Sequence, residues 1–247
     1  MKIERLLVFG DIHGKWDKFL SAYEKVHFNP ARDMMIFLGD YLDRGKDPVP
    51  VMEWVLGHAH EDNMVFLKGN HEDMFYRAMK QCREGLGSWD DVELTCELIS
   101  WLPNGGNATL KQLIASGKGE DLLPAWLKFI EKLPLYTEVQ TEGKTYWFMH
   151  ADCSPELPLT EQSEEKLLWH RHLATHPWDQ TGEQTIVLGH TPVQSIGYEP
   201  VPQILEEGRL VLMDTGSFLP TGRVSCLDLL TGMVYQSGCV GIMSGVC

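Results

Sequence analysis

The chain is short of basic residues, of paired cysteines and of long apolar runs, and each shortage removes a class of function. Lysine and arginine total 21 against 35 acidic residues, a formal net charge of −14. Such a surface repels nucleic acid and anionic membranes as a whole, so any anionic partner must be attracted locally. The six cysteines, Cys82, Cys96, Cys153, Cys226, Cys239 and Cys247, form no CxxC pair. That argues against a disulfide framework or a zinc knot and in favour of reduced thiols. Cys153 lies near His150, but proximity alone does not make it a ligand. No apolar run approaches the roughly 18 residues that a membrane-spanning helix needs. The N-terminal apolar segment runs straight into Gly10-Asp11 without a small-residue cleavage site, so it reads as a buried strand, and a cytoplasmic location is expected. The sequence also contains neither an internal repeat nor a low-complexity linker.

What remains is an ordinary globular composition, 43% hydrophobic and 23% charged over 247 residues, enough for one domain spanning 1–247. Short apolar runs recur at Leu6–Phe9, Met34–Leu38, Val65–Leu67, Trp147–Met149, Ile186–Leu188 and Leu210–Met213. Each stops at a glycine-containing or polar motif, the pattern of strands buried on both faces. Between them Trp16, Phe19, Leu20 and Tyr23, then Val51, Trp54, Val55 and His58, then Met74, Phe75, Ala78 and Met79 mark helical stripes. The expected class is α/β. A stretch from about 85 to 134 is helical in pattern and free of ligand-type motifs, an expected insertion over the site. Residues 155–178 are expected to supply a loop and a helix on the opposite wall, and the tail from Leu210 reads as strands and turns.

In open α/β sheets, ligands gather beyond the carboxyl ends of the strands, where six polar motifs fall in this chain. They are Gly10-Asp11-Ile12-His13-Gly14, Gly39-Asp40-Tyr41-Leu42-Asp43-Arg44-Gly45, Gly69-Asn70-His71-Glu72, His150, Trp169-His170-Arg171 and Gly189-His190-Thr191. On an extended backbone Asp11 and His13 point the same way and can share an ion. Asp40 offers a carboxylate able to bridge two cations, Asn70 a neutral oxygen, and His150 and His190 imidazoles. Any one of these histidines alone would more often be structural; a ligand type at every strand end makes coincidence a poor account. Oxygen and imidazole donors without thiolate favour Mn, Fe or Zn over Cu(I), Mg or Ca. Two such ions roughly 3.5 to 4 Å apart turn a shared water into hydroxide near neutral pH.

The first three motifs, in this order, resemble those of the phosphoprotein phosphatase family of calcineurin-like metallophosphoesterases, and the length is similar to that of its bacterial and phage branch. The resemblance runs from Gly10 to Thr191, with Asp214-Thr215-Gly216 similar to a further strand end. Trp101-Leu102-x-Asn104-Gly105-Gly106 is similar to a stretch of bacterial members. It implies a four-layer αββα sandwich and a centre of two divalent ions, Mn above Fe or Zn. Asp11 and His13 would bind the first ion, Asp40 would bridge, and Asn70, His150 and His190 would bind the second. His71 matches the general acid and Asp43 its carboxylate partner, while Arg44 and Arg171 match the arginines that grip phosphate. Arg171 stands between His170 and His172, where the family usually has a serine and an acidic residue. His170, His172 and His176 are expected to be exposed, and Glu161, Glu164 and Glu165 to form a solvated face.

The implied activity is a phosphomonoesterase, foremost a protein serine/threonine phosphatase working by direct attack of metal-bridging hydroxide on a phosphorylated protein or peptide. The alternative is a bis(5′-nucleosyl)-tetraphosphatase of the same fold; such relatives usually carry another residue where Asp43 stands. A non-catalytic scaffold is the remaining reading, and the complete set of motif residues argues against it.

Overall fold

The computed structural model describes residues 3–80, 95–141 and 143–242, the last four of these by backbone alone. The first half alternates β1 (Arg5–Phe9), α1 (Trp16–Val26), β2 (Asp33–Phe37), α2 (Pro48–His58), β3 (Met64–Phe66) and α3 (Asn70–Met79). Three further helices follow: α4 (Cys96–Trp101), α5 (Gly106–Ala115) and α6 (Gly119–Ile130). They fall within the expected helical insertion, whose residues 85–94 lie outside the described ones. The second half holds β4 (Tyr136–Thr141), β5 (Lys144–Met149), α7 (Glu164–Trp169), α8 (His172–Thr175), β6 (Thr185–Leu188), β7 (Gln203–Leu205) and β8 (Leu210–Leu212). A closing meander comprises β9 (Ser225–Asp228), β10 (Met233–Gln236) and β11 (Cys239–Ile242).

These strands form two sheets. One runs β11-β10-β9-β1-β2-β3, the other β4-β5-β6-β8-β7. Within each, three strands are parallel, β1-β2-β3 in the first and β5-β6-β8 in the second. Period-two alternation assigns the faces. Leu6 and Val8 of β1 join Ile36, Leu38 and Leu67 against Phe148, Val187, Val211 and Met213 of the second sheet. Leu7 and Phe9 point the other way, into a core with α1, α2 and the helices between β3 and β4. On the far side, Met149, Ile186, Leu188 and Leu212 pack under Leu167 and Leu173 of α7 and α8. The result is helix, sheet, sheet, helix, the four-layer αββα sandwich expected from the sequence.

The parallel register gives the site a stiff base. Phe9, Phe37 and Phe66 close β1, β2 and β3 at equivalent positions and stack with centroids 5.1 and 4.7 Å apart. Phe19 and Trp54 cover this row from α1 and α2, edge to face at 4.7 Å. Burying each ring contributes about 2–3 kcal/mol. Asp40 and Asn70 follow four residues or fewer later, so the turns that carry them leave from a row of fixed side chains.

Candidate active site

The six parallel strands end at one edge, and the polar residues that follow them converge there. Asp11 and His13 come after β1, Asp40 after β2, Asn70 after β3, His150 after β5, His190 after β6 and Asp214 after β8. All seven are buried. The extended backbone expected at Asp11-Ile12-His13 is not what the chain adopts. His13 is left-handed at φ 49°, and the turn brings its Nε2 to 3.9 Å from Asp11 Oδ2. Asp40, Asp43, Arg44 and His190 share this conformation, at φ 54°, 67°, 63° and 63°. L-residues adopt it at a cost of about 1 kcal/mol or more each, and such cost concentrates where side chains must be aimed. Glycine supplies the clearance: a Cβ on Gly69 would meet Asp40 Oδ1 at 2.2 Å and Asp40 N at 2.5 Å.

Asp40 sits at the centre with its two oxygens divided. Oδ1 lies 3.4 Å from His150 Nε2 and Oδ2 lies 3.4 Å from His13 Nε2. On the His150 side, Asn70 Oδ1 is 2.9 Å from His150 Nε2 and 3.0 Å from His190 Nδ1. Each imidazole has its other nitrogen on a backbone carbonyl. His13 Nδ1 reaches Leu42 O at 3.0 Å, His150 Nδ1 Leu38 O at 2.9 Å, and His190 Nε2 Trp169 O at 3.2 Å. A ring N–H committed to a carbonyl leaves the inward nitrogen with its lone pair, the arrangement found behind metal-bound histidines.

Electrostatics point the same way. Burial pushes His13 and His150 below the ordinary imidazole range, and burial with His150 and Arg171 pushes His190 down to about 2. Burial opposes charge on Asp40, but His150, His71, His13 and His190 outweigh it and hold the carboxyl below the usual range. Asp11 is pushed up by burial, Asp214 and Asp40. Burial also lifts Asp214, to about 6, and its Oδ2 finds no hydrogen-bond partner among the described residues. Buried oxygens crowded against one another and against imidazole lone pairs suit cations. Within each of two groups, His13-Asp40-His71 and Asp40-His150-His190, the donor atoms lie within 4.8 Å of one another; Asp40 is common to both, and Asp11 belongs to neither. The residues thus fit a pair of metal ions.

His71 stands at the start of α3 with Nδ1 2.7 Å from Asp43 Oδ2 and Nε2 4.0 Å from Asp40 Oδ2. Burial disfavours its charge, yet Asp40 and Asp43 together raise its pKa above the ordinary value. Arg44 directs Nη1 to within 3.0 Å of His13 Nε2, with its guanidinium 4.1 Å from the ring centre of Phe218. From the opposite wall Arg171 donates through Nη1 to His190 O at 2.9 Å and Thr191 Oγ1 at 3.0 Å. His170, His172 and His176 are exposed, as expected. His172 is bound to Asp179 at 2.6 Å and stacks on His176.

Several supporting residues escaped sequence reasoning. Glu72 is fully buried, and its carboxylate accepts from the backbone N–H groups of Asp40, Tyr41 and Gly69 at 2.8, 2.9 and 3.0 Å. Burial and Asp40 push it up to about 7, against the pull of those donors. Trp101 Nε1 donates to Asp43 Oδ2 at 2.7 Å, and Thr109 Oγ1 donates to Oδ1 at 2.6 Å. Arg44 N donates to Gly105 O at 3.1 Å, and a Cβ on Gly105 would meet Arg44 N at 2.7 Å. The Trp101–Gly106 stretch noted in the sequence is therefore where the helical segment docks on Asp43-Arg44. Asp152 accepts from His172 N at 2.7 Å and Cys153 N at 2.9 Å, anchoring the loop that presents Arg171. Cys153 is a free, buried thiol whose pKa burial and Asp152 push up; it belongs to neither donor group.

Nitrogen and oxygen donors converging on a divided carboxylate, with two guanidinium groups close by, define a metal-dependent phosphoric ester hydrolase. The calcineurin-like phosphoesterase family matches residues 4–216, and the chain belongs to it. It is 27% identical over 193 residues to serine/threonine-protein phosphatase 1 of Salmonella typhimurium, across 76% of this chain and 78% of that protein. It is 25% identical over 214 residues to the asymmetrical bis(5′-nucleosyl)-tetraphosphatase PrpE of Anoxybacillus flavithermus, again across 76% and 78%. Among solved structures, a serine/threonine phosphatase of Saccharomyces cerevisiae shares the fold with a TM-score of 0.58 at 17% identity, over 97% of this chain and 81% of that one. No helix among the described residues is long and apolar enough to cross a membrane.

Proposed function

We propose that the chain is a protein serine/threonine phosphatase that hydrolyses phosphoserine and phosphothreonine directly, without a phosphoenzyme. The observation that carries this reading is the buried His71–Asp43 contact of 2.7 Å beside Arg44, because an alkoxide leaving group must be protonated as it departs. Asp11 and His13 would hold one divalent ion and Asn70, His150 and His190 a second, with Asp40 between them; manganese is the first choice, iron or zinc the alternatives. When bound, the pair supplies a water acidified enough to attack near neutral pH and offsets charge on the phosphate. Arg44, beside His13, and Arg171, beside His190, hold the phosphoryl oxygens with planar guanidinium forks. His71 donates its Nε2 proton to the leaving oxygen, and Asp43 keeps the ring oriented and favours its charged form. Free thiols at Cys96, Cys153 and Cys226 support a reducing, cytoplasmic setting.

A bis(5′-nucleosyl)-tetraphosphatase is the second reading, favoured by the likeness to the Anoxybacillus protein. Asp43 weighs against it. The test is kcat/KM of manganese-loaded protein on phosphoserine peptides against diadenosine tetraphosphate. Faster cleavage of the peptides is expected, and faster cleavage of the dinucleotide overturns the order.

A further inference from the structure

Next to the metal-type centre the fold assembles a cleft of about 740 Å³ between the start of α1, the start of α2 and α5. Its lining includes five basic side chains, Lys15, Lys18, Arg44, Lys46 and Lys111, and two acidic ones, Asp17 and Asp47. Both acids are taken up by Lys46, at 3.5 and 3.3 Å. The other four cations have no carboxylate in the cleft to pair with. Lys18 Nζ donates to the carbonyls of Ser217 and Gly222 at 2.7 and 2.6 Å, which fixes its position without cancelling its charge. Burial and the like charge of Lys15 both lower its pKa. On a chain of net charge −14 a cationic concavity supplies the local attraction that an anionic substrate requires.

Position gives the cleft a purpose. Arg44 forms part of its wall, while the same guanidinium reaches within 3.0 Å of His13 Nε2. A substrate whose phosphate lies against Arg44 therefore has one flank in the cleft. The space is far larger than one phosphate and lies within the range of roughly 300–1,000 Å³ usual for small-ligand sites. We infer that the cleft is a second anion subsite, receiving an acidic side chain or a second phosphate that flanks the phosphoserine or phosphothreonine being hydrolysed. The inference rests on the protein-phosphatase reading above.

The experiment compares kcat/KM of manganese-loaded protein on phosphoserine peptides flanked by aspartate, by a second phosphoserine or by lysine, at low and high salt. The two acidic arms separate carboxylate from phosphate as the preferred anion. The expected result is a preference of about tenfold for acidic over lysine flanks at low salt, shrinking as salt screens it. In the double variant Lys15→Gln/Lys111→Gln the ratio is expected to fall towards unity. The readout is a ratio between peptides within one protein, so a general loss of folding or activity does not imitate it. Equal efficiency on all flanks overturns the subsite alone, as does a preference that survives the double variant. Cleavage of diadenosine tetraphosphate with no phosphopeptide cleaved overturns the parent reading and the subsite together.

Discussion

Asp43 Oδ2 is shared by two donors from separate parts of the chain, His71 Nδ1 at 2.7 Å and Trp101 Nε1 at 2.7 Å. The carboxylate thus both orients the imidazole and depends on the helical segment for its own position. If His71 protonates the leaving group, His71→Asn lowers kcat on alkyl phosphoesters by roughly 10²–10³. It lowers kcat much less on p-nitrophenyl phosphate, whose leaving group needs little protonation. Steady-state kinetics on both substrates decide the matter, and equal losses remove His71 from the acid role.

Trp101→Phe keeps a large ring in the buried slot but deletes the indole donor. One fewer hydrogen bond to a buried carboxylate costs about 1–3 kcal/mol, a fall in melting temperature of about 2–12 °C for a domain of this size. More tellingly, the ratio of alkyl to aryl phosphate hydrolysis is expected to fall in the same direction as in His71→Asn. A ratio that matches wild type would make Trp101 a packing residue only.

The pH profile follows from the same contacts. Asp40 and Asp43 overcome burial and raise the pKa of His71 above its ordinary value. The stabilisation these contacts lend is fully present below the ordinary imidazole range and is lost as pH rises through the raised value. The protonated form is also the acid, so kcat on alkyl phosphoesters is expected to drop as pH climbs through that same region. Asp43→Asn removes one of the raising partners and should move the descending limb to lower pH. A limb that stays in place in the variant would separate it from the His71–Asp43 pair.

The convergence of these residues was legible because chemistry and topology coincide. Parallel strands buried on both faces announce themselves as unbroken apolar runs, and all of them end at one edge, so the residues following Phe9, Leu38, Leu67, Met149 and Leu188 had to meet. The edge strands β4 and β7 gave no such signal. β4 exposes Glu138 and Gln140 to solvent, and no residue of β7 is fully buried. The left-handed turns at His13, Asp40, Asp43, Arg44 and His190 were invisible too, since no glycine marks those positions themselves. Trp101 and Thr109 lie 58 and 66 residues from Asp43 in sequence, and only tertiary docking joins them. Glu72 looked like the tail of a motif, whereas its partners are backbone N–H groups, which leave no mark in a sequence.

Asp40 directs one oxygen to His150 and the other to His13, at 3.4 Å each. A carboxylate divided in this way would serve both ions, so Asp40→Asn should weaken both. The expected outcome is loss of most bound manganese, loss of the thermal stabilisation that added manganese gives the wild type, and a fall in kcat of at least about 10². Metal content measured by elemental analysis distinguishes the alternatives. Retention of one full ion per chain would confine Asp40 to a single site.

Glu72 offers the sharpest separation of architecture from chemistry. Its carboxylate accepts from the N–H groups of Asp40, Tyr41 and Gly69, and from Leu42 N at 3.3 Å. Replacement by leucine fills similar space but strands four buried donors, each worth about 1–3 kcal/mol when left unmade. Glutamine keeps one acceptor oxygen and turns an N–H₂ group towards donors it cannot satisfy, so its cost is intermediate. The expected order of melting temperatures is wild type, Glu72→Gln, Glu72→Leu, with the leucine variant lower by more than about 10 °C or insoluble. Because three of the four donors belong to the turn that aims Asp40, manganese should restore less stability to Glu72→Gln than it adds to wild type. Equal thermal shifts on adding manganese would mean that the turn holds its shape without the carboxylate, and that α3 and the β2 end are positioned by packing alone.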